Sequence, residues 1–406
     1  MFKAMDVMKG KQKFLLILIL GLLSAIGPFS IDMYLPGFPA IAKDLKTDVA
    51  TVSLSLSSFF IGISAGQLIY GPLLDRFGRK KPLFAGLVIY IVASLGCVFA
   101  NSVHLLIGLR LFQALGGCSG MVAARALVRD IFPVEENAKV FALLMLVIGV
   151  SPIIAPTLGG YITTALGWHY IFILLALMGC GILTAAWFIM PDGRAADITL
   201  SLKPAPILSN FYTVLKEPQF LTYSLTGAAA SAGLYAYIAG SPYVFMELYK
   251  VSERGYGWIF ATIAGGLITC SQLNSLLLRT YRSEQIIRVA AFCQSMTGLV
   301  LFVATILNML NVYGTIALIF VFLCCQGFIF PNSSALSLAP FTKNAGSASA
   351  LLGSIQLGIG TLSSAMVSVL NDHTALPMAE VMAISTLTAF IVLISGNRVI
   401  VRRKVI

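Results

Sequence analysis

Two charged side chains stand where an apolar chain can least accommodate them. Asp32 lies at the end of a hydrophobic run that begins at Phe14, and Arg110 lies inside another run at about 104–127. A charge deep in a membrane-spanning helix costs about 2.5–3.5 kcal/mol on insertion scales, so such residues usually have partners and functions. With run centres near residues 25 and 116, a rise of 1.5 Å per residue puts Asp32 roughly 10 Å and Arg110 roughly 9 Å outward of the middle. The two runs cross in opposite directions, so the charges share a depth and could form a pair. Alternatively, Asp32 could exchange a proton as a substrate competes for the site. Desolvation favours a neutral carboxyl and a nearby guanidinium favours a charged one, and a group held between those pulls can load and release protons near neutral pH. Each residue also has a plain reading, Asp32 at the outer interface and Arg110 snorkelling towards it.

The elements that must position these charges are membrane helices. Of 406 residues, 58% are hydrophobic and 11% charged, with a mean hydropathy of +0.92. A soluble domain carries about 25% charged residues, so a soluble protein is nearly excluded. Twelve apolar runs are expected to span, at roughly 14–36, 51–73, 82–100, 104–127, 139–161, 170–190, 219–246, 256–278, 288–308, 313–333, 344–370 and 377–396. Each can cross about 30 Å of hydrocarbon as a helix, which pairs its own backbone groups, and no strand-like alternation is present. Lys3, Lys9, Lys11 and Lys13 precede the first run as in a signal peptide, but that run is longer than the usual apolar core of one, so it is expected to remain.

Lys and Arg positions set the orientation. With the N-terminus inside, 22 of the 27 fall on cytoplasmic segments, including Lys343 and the tail from Arg398 to Lys404, against four outside, Lys43, Lys46, Lys250 and Arg254. Both termini are therefore expected in the cytoplasm. The net charge of +11 follows without nucleic acid as a partner. The longest cytoplasmic connection, 191–218, carries Asp192, Asp197, Pro204 and Pro206 and divides six spans from six. The expected organisation is a bundle at 1–190, a linker at 191–218 and a second bundle at 219–406 with a basic tail.

The most specific string is Gly71-Pro-Leu-Leu-Asp75-Arg76-Phe-Gly78-Arg79-Lys80-Lys81 between spans two and three. Basic residues there satisfy topology alone, but an acid among them framed by two glycines exceeds that need. The glycines permit a tight turn and close approach, and Asp75 could cap a helix and pair with Arg. The string resembles the loop signature of the major facilitator superfamily. Arg110-Leu-Phe-Gln113-Ala-Leu-Gly116 resembles that superfamily's span-four motif with one residue inserted. Ser151-Pro152-Ile-Ile-Ala155-Pro156-Thr-Leu-Gly159-Gly160 resembles its antiporter motif, with Ala155 where glycine is usual. Ser30-Ile-Asp32-Met-Tyr34-Leu-Pro36-Gly-Phe-Pro39 and Ala124-Arg125-Ala-Leu-Val-Arg129-Asp130 resemble the bicyclomycin/chloramphenicol efflux (Bcr/CflA) family of drug:proton antiporters.

The resemblance is strong over 14–190 and diffuse over 219–396. It implies an all-α membrane fold of two pseudo-symmetric six-helix bundles in a bacterial inner membrane, with substrate held between the halves. It further implies alternating access driven by a proton gradient, with Asp32 as proton carrier beside Arg110 and with Tyr34, Gln113 and Tyr235 lining the cavity. Gly71, Asp75, Arg76, Gly78, Arg79 and Lys80 would form the gating loop, and Pro152, Pro156, Gly159 and Gly160 the antiporter motif. Tyr237, Gln272, Asn274, Gln326, Asn332 and Gln356 read first as packing or interhelical hydrogen-bond residues.

Other classes fare worse. Histidines 104, 169 and 373 fall between spans, and all seven cysteines fall inside apolar runs as small buried hydrophobes, so neither a metal site nor a hydrolytic constellation is expected. An intramembrane enzyme is thereby remote. No Walker-type phosphate loop occurs, so no nucleotide cofactor is expected. A transporter of one metabolite or siderophore would use the same fold and remains the alternative to drug export. Pairs of glycines, Gly62 with Gly66 and Gly346, Gly353, Gly358 and Gly360, read as helix-packing notches. A monomer is expected, since two halves already enclose a cavity.

Overall fold

In the computed structural model the described residues are 10–132, 134–191, 193, 196–197, 204–341 and 345–405. Lys3, Lys9, Asp192 and Lys343, invoked for topology or for the linker, lie outside them. The chain forms α1 (Gly10–Asp32), α2 (Phe38–Asp44), α3 (Val49–Phe77), α4 (Lys80–Val98), α5 (Val103–Ile131), α6 (Val134–Leu166) and α7 (His169–Ile189). After the connection come α8 (Pro204–Leu215), α9 (Pro218–Pro242), α10 (Glu253–Leu277), α11 (Ser283–Ile306), α12 (Val312–Leu338), α13 (Ala345–Val369) and α14 (Leu376–Val405). No strand occurs among the described residues.

All twelve expected runs are helical, with two departures at their ends. The first run breaks after Asp32 at the proline-rich string Leu35–Gly37 and resumes as the short α2. The seventh passes at Pro242, which lacks an N–H, into one wide π-type stretch from Tyr243 to Leu248. The 191–218 connection, expected as a plain linker, also carries a helix, α8. Its Val214 is fully buried in a small cluster with Phe220, Ala348 and Leu352.

Among the described residues, eleven of the twelve expected spans are helices long and apolar enough to cross a membrane. The exception is α9, rich in Ala, Ser, Gly and Tyr, and most of its residues from Phe220 to Pro242 are buried. A helix enclosed by other helices needs little apolar surface, because it faces protein rather than lipid. Lipid-facing positions carry the large hydrophobics instead, such as Phe99, Trp187 and Phe188. Cys180 and Cys293 join them: both are exposed, whereas Cys97 and Cys118 are buried. Membership of an apolar run does not say which face a residue takes.

The two halves repeat one packing scheme. In the first, α1 packs on α5, α6 and α7, α3 on α5, and α4 on α5 and α7. In the second, α9 packs on α12, α13 and α14, α10 on α12, and α11 on α12 and α14. The halves meet through α3 on α13 and α6 on α10, which are equivalent under that correspondence. Gly62 and Gly66 do act as notches, since a Cβ would meet Leu111 O at 2.5 Å and Cys118 Cβ at 2.7 Å. Gly353 and Gly360 receive Gln67 and Tyr235 in the same way, whereas Gly346 and Gly358 face open space.

The loops around residues 45–48, 99–102, 249–252, 307–311 and 370–375 share one face, called outer here after the charge count. Side-chain caps fix several helix starts there. Asp48 accepts from Thr51 N at 2.7 Å, Ser102 from Leu105 N at 3.3 Å, Ser252 from Gly255 N at 3.2 Å and Asn311 from Gly314 N at 2.8 Å. For Asp48, burial alone would raise the carboxyl's pKa, but hydrogen bonds from Thr51 and neighbouring backbone outweigh it and hold the pKa low.

Candidate functional site

Arg110 is fully buried on α5 and has no carboxylate partner among the described residues. Its Nη1 donates to Gln113 Oε1 at 2.6 Å and its Nη2 to the Ser30 carbonyl at 3.0 Å. Its guanidinium lies 4.1 Å from the Phe59 ring centroid, 4.6 Å from that of Tyr34 and 5.8 Å from that of Phe172. Aromatic faces and a carbonyl thus supply the electron density that an acid would otherwise give. Of the two alternatives left open, a pair with Asp32 is not formed among the described residues. A helix turns about 100° per residue, so the Ser30 carbonyl faces α5 while Asp32, two residues on, points nearly the opposite way. A shared depth did not mean a shared face.

Gln113, expected in the cavity, has both amide ends committed within its own half. Its Nε2 donates to Ser94 Oγ at 2.8 Å, so it holds Arg110 rather than offering a free amide. Tyr34 is likewise fully buried, with its hydroxyl 2.9 Å from Ser55 Oγ and its ring against Phe38 and Phe172. Tyr235 differs: it is half-buried, with its ring edge-on to Phe60 of the other half at 4.8 Å. The second half repeats the polar core without the charge. Gln294 donates to Gln326 at 3.1 Å and Gln326 to Ser231 at 2.8 Å, on helices equivalent to those of Ser94, Gln113 and Ser30.

Asp32 is 5% exposed, and its carboxyl makes no hydrogen bond or ion pair among the described residues. The titratable groups within its electrostatic reach, Tyr237 and Tyr256, come from α9 and α10 of the other half. A buried acid at a boundary between two bodies can gain or lose a proton as those bodies move, which an acid locked in an ion pair cannot do readily.

Above Asp32 the outer end is closed. Gly159 of α6 fits against the Met33 carbonyl, and a Cβ on Gly160 would lie 2.6 Å from the Glu253 carbonyl of α10. Gly257 meets the Pro156 carbonyl in the same way, at 2.9 Å. Pro152 and Pro156 both lie within α6 and Ala155 is fully buried, so the Pro–Gly motif is a contact surface joining α1, α6 and α10. Alongside it, Ser57 pairs with Ser364 at 2.8 Å, Ser368 donates to Ser53 at 3.0 Å, and Ser53 donates to the Ala239 carbonyl at 3.2 Å. Farther in, Ser64 reaches the Ser354 carbonyl at 3.3 Å. These serines were missed in the sequence. The available signal was their spacing of four, 53 with 57 and 364 with 368, which puts each pair on one face of a helix.

At the opposite end Arg79 is 6% exposed and ties three helices together. Its Nε donates to Asp130 Oδ2 at 2.6 Å, its Nη2 to Asp130 Oδ1 at 3.3 Å and its Nη1 to Asp75 Oδ1 at 2.7 Å. Burial would lower the guanidinium's pKa, but the bonds and charges of Asp130 and Asp75 outweigh it and raise it. Gly78, at φ +80°, makes the turn. Gly71 does not turn the chain; it lies within α3 with nothing near. Asp75 caps no helix, since α4 starts without a side-chain cap and the carboxylate is spent on Arg79. The guanidinium of Arg76 lies 5.7 Å from the Phe77 ring centroid, and Lys80 begins α4. The Asp197 N–H bonds to the Asp75 carbonyl at 3.3 Å, which pins the connection to this loop. No group of His, Cys, Asp and Glu among the described residues is arranged to hold a metal.

Comparison with known proteins agrees with this architecture. The family model described as Major Facilitator Superfamily matches residues 20–365. The chain is 32% identical over 368 residues to a bicyclomycin resistance protein homolog of Haemophilus influenzae, covering 91% of this chain and 92% of that one. It is 30% identical over 370 residues to a chloramphenicol resistance protein of Pseudomonas aeruginosa, covering 89% and 86%. Its fold is similar to the crystal structure of a bacterial homolog of the human lysosomal transporter Spinster in an inward-facing, occupied conformation. That match has a TM-score of 0.74 and 12% identity, covering 96% of this chain and 98% of the other.

Proposed function

Because this chain belongs to the major facilitator superfamily, we propose that it exports small amphipathic drug-like compounds in exchange for protons. Membership makes it a multi-pass membrane transporter; the cargo, the coupling ion and the residues that serve them are the proposal. Two relatives of near-full-length coverage carry names of resistance to bicyclomycin and to chloramphenicol, which supports drug efflux. Its Lys and Arg distribution supports cytoplasmic termini, its relatives support a bacterial inner membrane, and it is read as a monomer because its two halves pack on each other within one chain.

The observation that carries the proton part is Asp32, a buried carboxyl with no partner among the described residues, lying under a closed outer seam and beside the opposite half. In this reading the halves at 1–190 and 219–406 rock about α3–α13 and α6–α10, with 191–218 as their tether. When the outer seam opens, Asp32 takes a proton from outside and substrate leaves. When the inner end opens, substrate displaces that proton. Arg110 does not neutralise Asp32. It braces α1 through the Ser30 carbonyl and keeps a positive field near the site. Tyr235, at the seam, is the best-placed substrate contact of the three expected aromatic and amide residues.

Inverted membrane vesicles with an acid lumen, reported by a pH-sensitive dye, test the reading. Chloramphenicol, florfenicol, bicyclomycin and a lipophilic cation are added in turn. The expected result is a substrate-triggered loss of lumen acidity in wild type and none with Asp32→Asn. Full-rate, proton-coupled export by the Asp32→Asn protein would sink the assignment. Silence towards every compound, with folded protein present, would turn the reading to a metabolite or siderophore.

A further inference from the structure

Arg125, on the inner half of α5, is a cation without a partner. Its side chain is exposed and makes no hydrogen bond or ion pair among the described residues. The acids Asp75 and Asp130 at the same end are spent on Arg79. An arginine near the inner end of a span is ordinarily a topology signal that reaches out to lipid headgroups. The rotation of α5 gives Arg125 a different outlook.

Met121 meets α1, its Sδ lying 3.0 Å from where a Cβ on Gly27 would stand, and Cys118 meets α3, its Cβ 2.7 Å from the equivalent point on Gly66. At about 100° per residue, Arg125 points about 40° from Met121 and about 20° from Cys118, between the two. Gly116, which meets the Tyr90 backbone on α4, lies on the opposite side of the helix. Both α1 and α3 pack on α5 but not appreciably on each other, and in front of α3 stand α9 and α13 of the second half. Arg125 therefore faces through the gap between α1 and α3 towards the other half, not towards lipid.

At that depth the seam between the halves is open. On α3 the seam face runs through Ser53, Ser64 and Gln67, and on α13 through Ser364 and Gly353, which receives Gln67. Gly71 and Gly346 lie five helical turns inward of Ser53 and Ser364 and so on the same two faces, yet a Cβ on either would meet nothing. Since Cys118 sits against Gly66 and the two helices run the same way, Arg125 is level with the position just past Gly71. It stands at the back of a cleft that opens inward between α3 and α13.

We propose that Arg125 is a substrate-recognition residue that takes the acidic group of an amphipathic organic anion entering this cleft. The guanidinium presents a fork that carboxylate or sulfonate oxygens fit, and Met121, one turn outward, offers a soft apolar contact to the rest of the molecule. The inference rests on the export reading and narrows it: the cleft selects compounds bearing a negative group and disfavours a lipophilic cation.

Binding of 2-naphthoate and of its uncharged carboxamide to the full-length protein is measured in nanodiscs of phosphatidylcholine. A charge-assisted bond in a partly solvated cleft should make the carboxylate bind about tenfold more tightly than the amide. Arg125→Gln should remove that preference by weakening the carboxylate alone, at unchanged melting temperature. Arg129→Gln, one turn on along α5, should leave it. Equal affinities or no binding of the carboxylate in wild type, or a preference that survives Arg125→Gln or is lost equally in Arg129→Gln, overturns the proposal. Loss of the preference when phosphatidylglycerol is added to the discs assigns the guanidinium to lipid headgroups and overturns it too. The preference needs no proton gradient, so a protein that shows it yet stays silent in the vesicle assay would uphold the anion site and refute drug:proton export.

Discussion

Replacing Gly160 with alanine should tilt the balance between the outer-closed and outer-open arrangements. A Cβ there would stand 2.6 Å from the Glu253 carbonyl oxygen, 3.1 Å from its carbon and 3.3 Å from Arg254 Cα, where ordinary contact begins at 3.4 Å. The obstacle is backbone at the start of α10, so it cannot rotate away, and the two helices must separate by roughly 0.8 Å for an ordinary fit. Overpacking of this kind costs about 1–3 kcal/mol. The clash exists only while α6 and α10 meet at the outer end, so that cost falls on one state and raises the open-to-closed ratio about 5–150-fold. Spin labels at exposed positions 46 and 250, on the outer loops of the two halves and in a background lacking the seven native cysteines, report the distance distribution. Gly160→Ala should move population to longer distances. Gly108→Ala, where a Cβ meets nothing, should not. A Gly160→Ala distribution identical to wild type, in protein of unchanged melting temperature, would refute the idea that this glycine permits the outer seal.

Two further outcomes concern stability. Arg79→Ala strips Asp130 and Asp75 of their shared partner at a site only 6% exposed, and it should destabilise the fold by about 3 kcal/mol. Arg79→Lys should recover less than half of the lost melting temperature, because an ammonium cannot reproduce the fork on Asp130. Gln113→Leu should cost about 1–3 kcal/mol by leaving Arg110 Nη1 without an acceptor, read as a fall in melting temperature in detergent. An unchanged melting temperature there would mean that the aromatic rings alone suffice for the guanidinium.

The sequence alone determined the class of molecule, because lipid leaves so few options. Runs such as Phe14 to Ile31 and Val312 to Phe330 can satisfy their backbone only as helices, and the Lys and Arg imbalance carries an orientation in composition itself. The Gly71–Lys81 string was legible because its charges sit close together in the chain, and Asp75 with Arg79 is an i,i+4 pair. Its second partner, Asp130, is 51 residues away, and only folding chose it.

Depth was also legible, since it depends on counting residues along a helix. Direction was not, since it depends on how each helix is rotated against its neighbours. That is why Arg110 reaches the Ser30 carbonyl, two residues from Asp32, without meeting Asp32 itself, and why Gln113 proved to be a brace. It is also why Cys180 and Cys293 face outward and why serines at 53, 57, 364 and 368 became a seam. Hydropathy and charge are properties of segments and survive in the sequence. Facing is a property of pairs of segments, and it exists only once the two halves have packed.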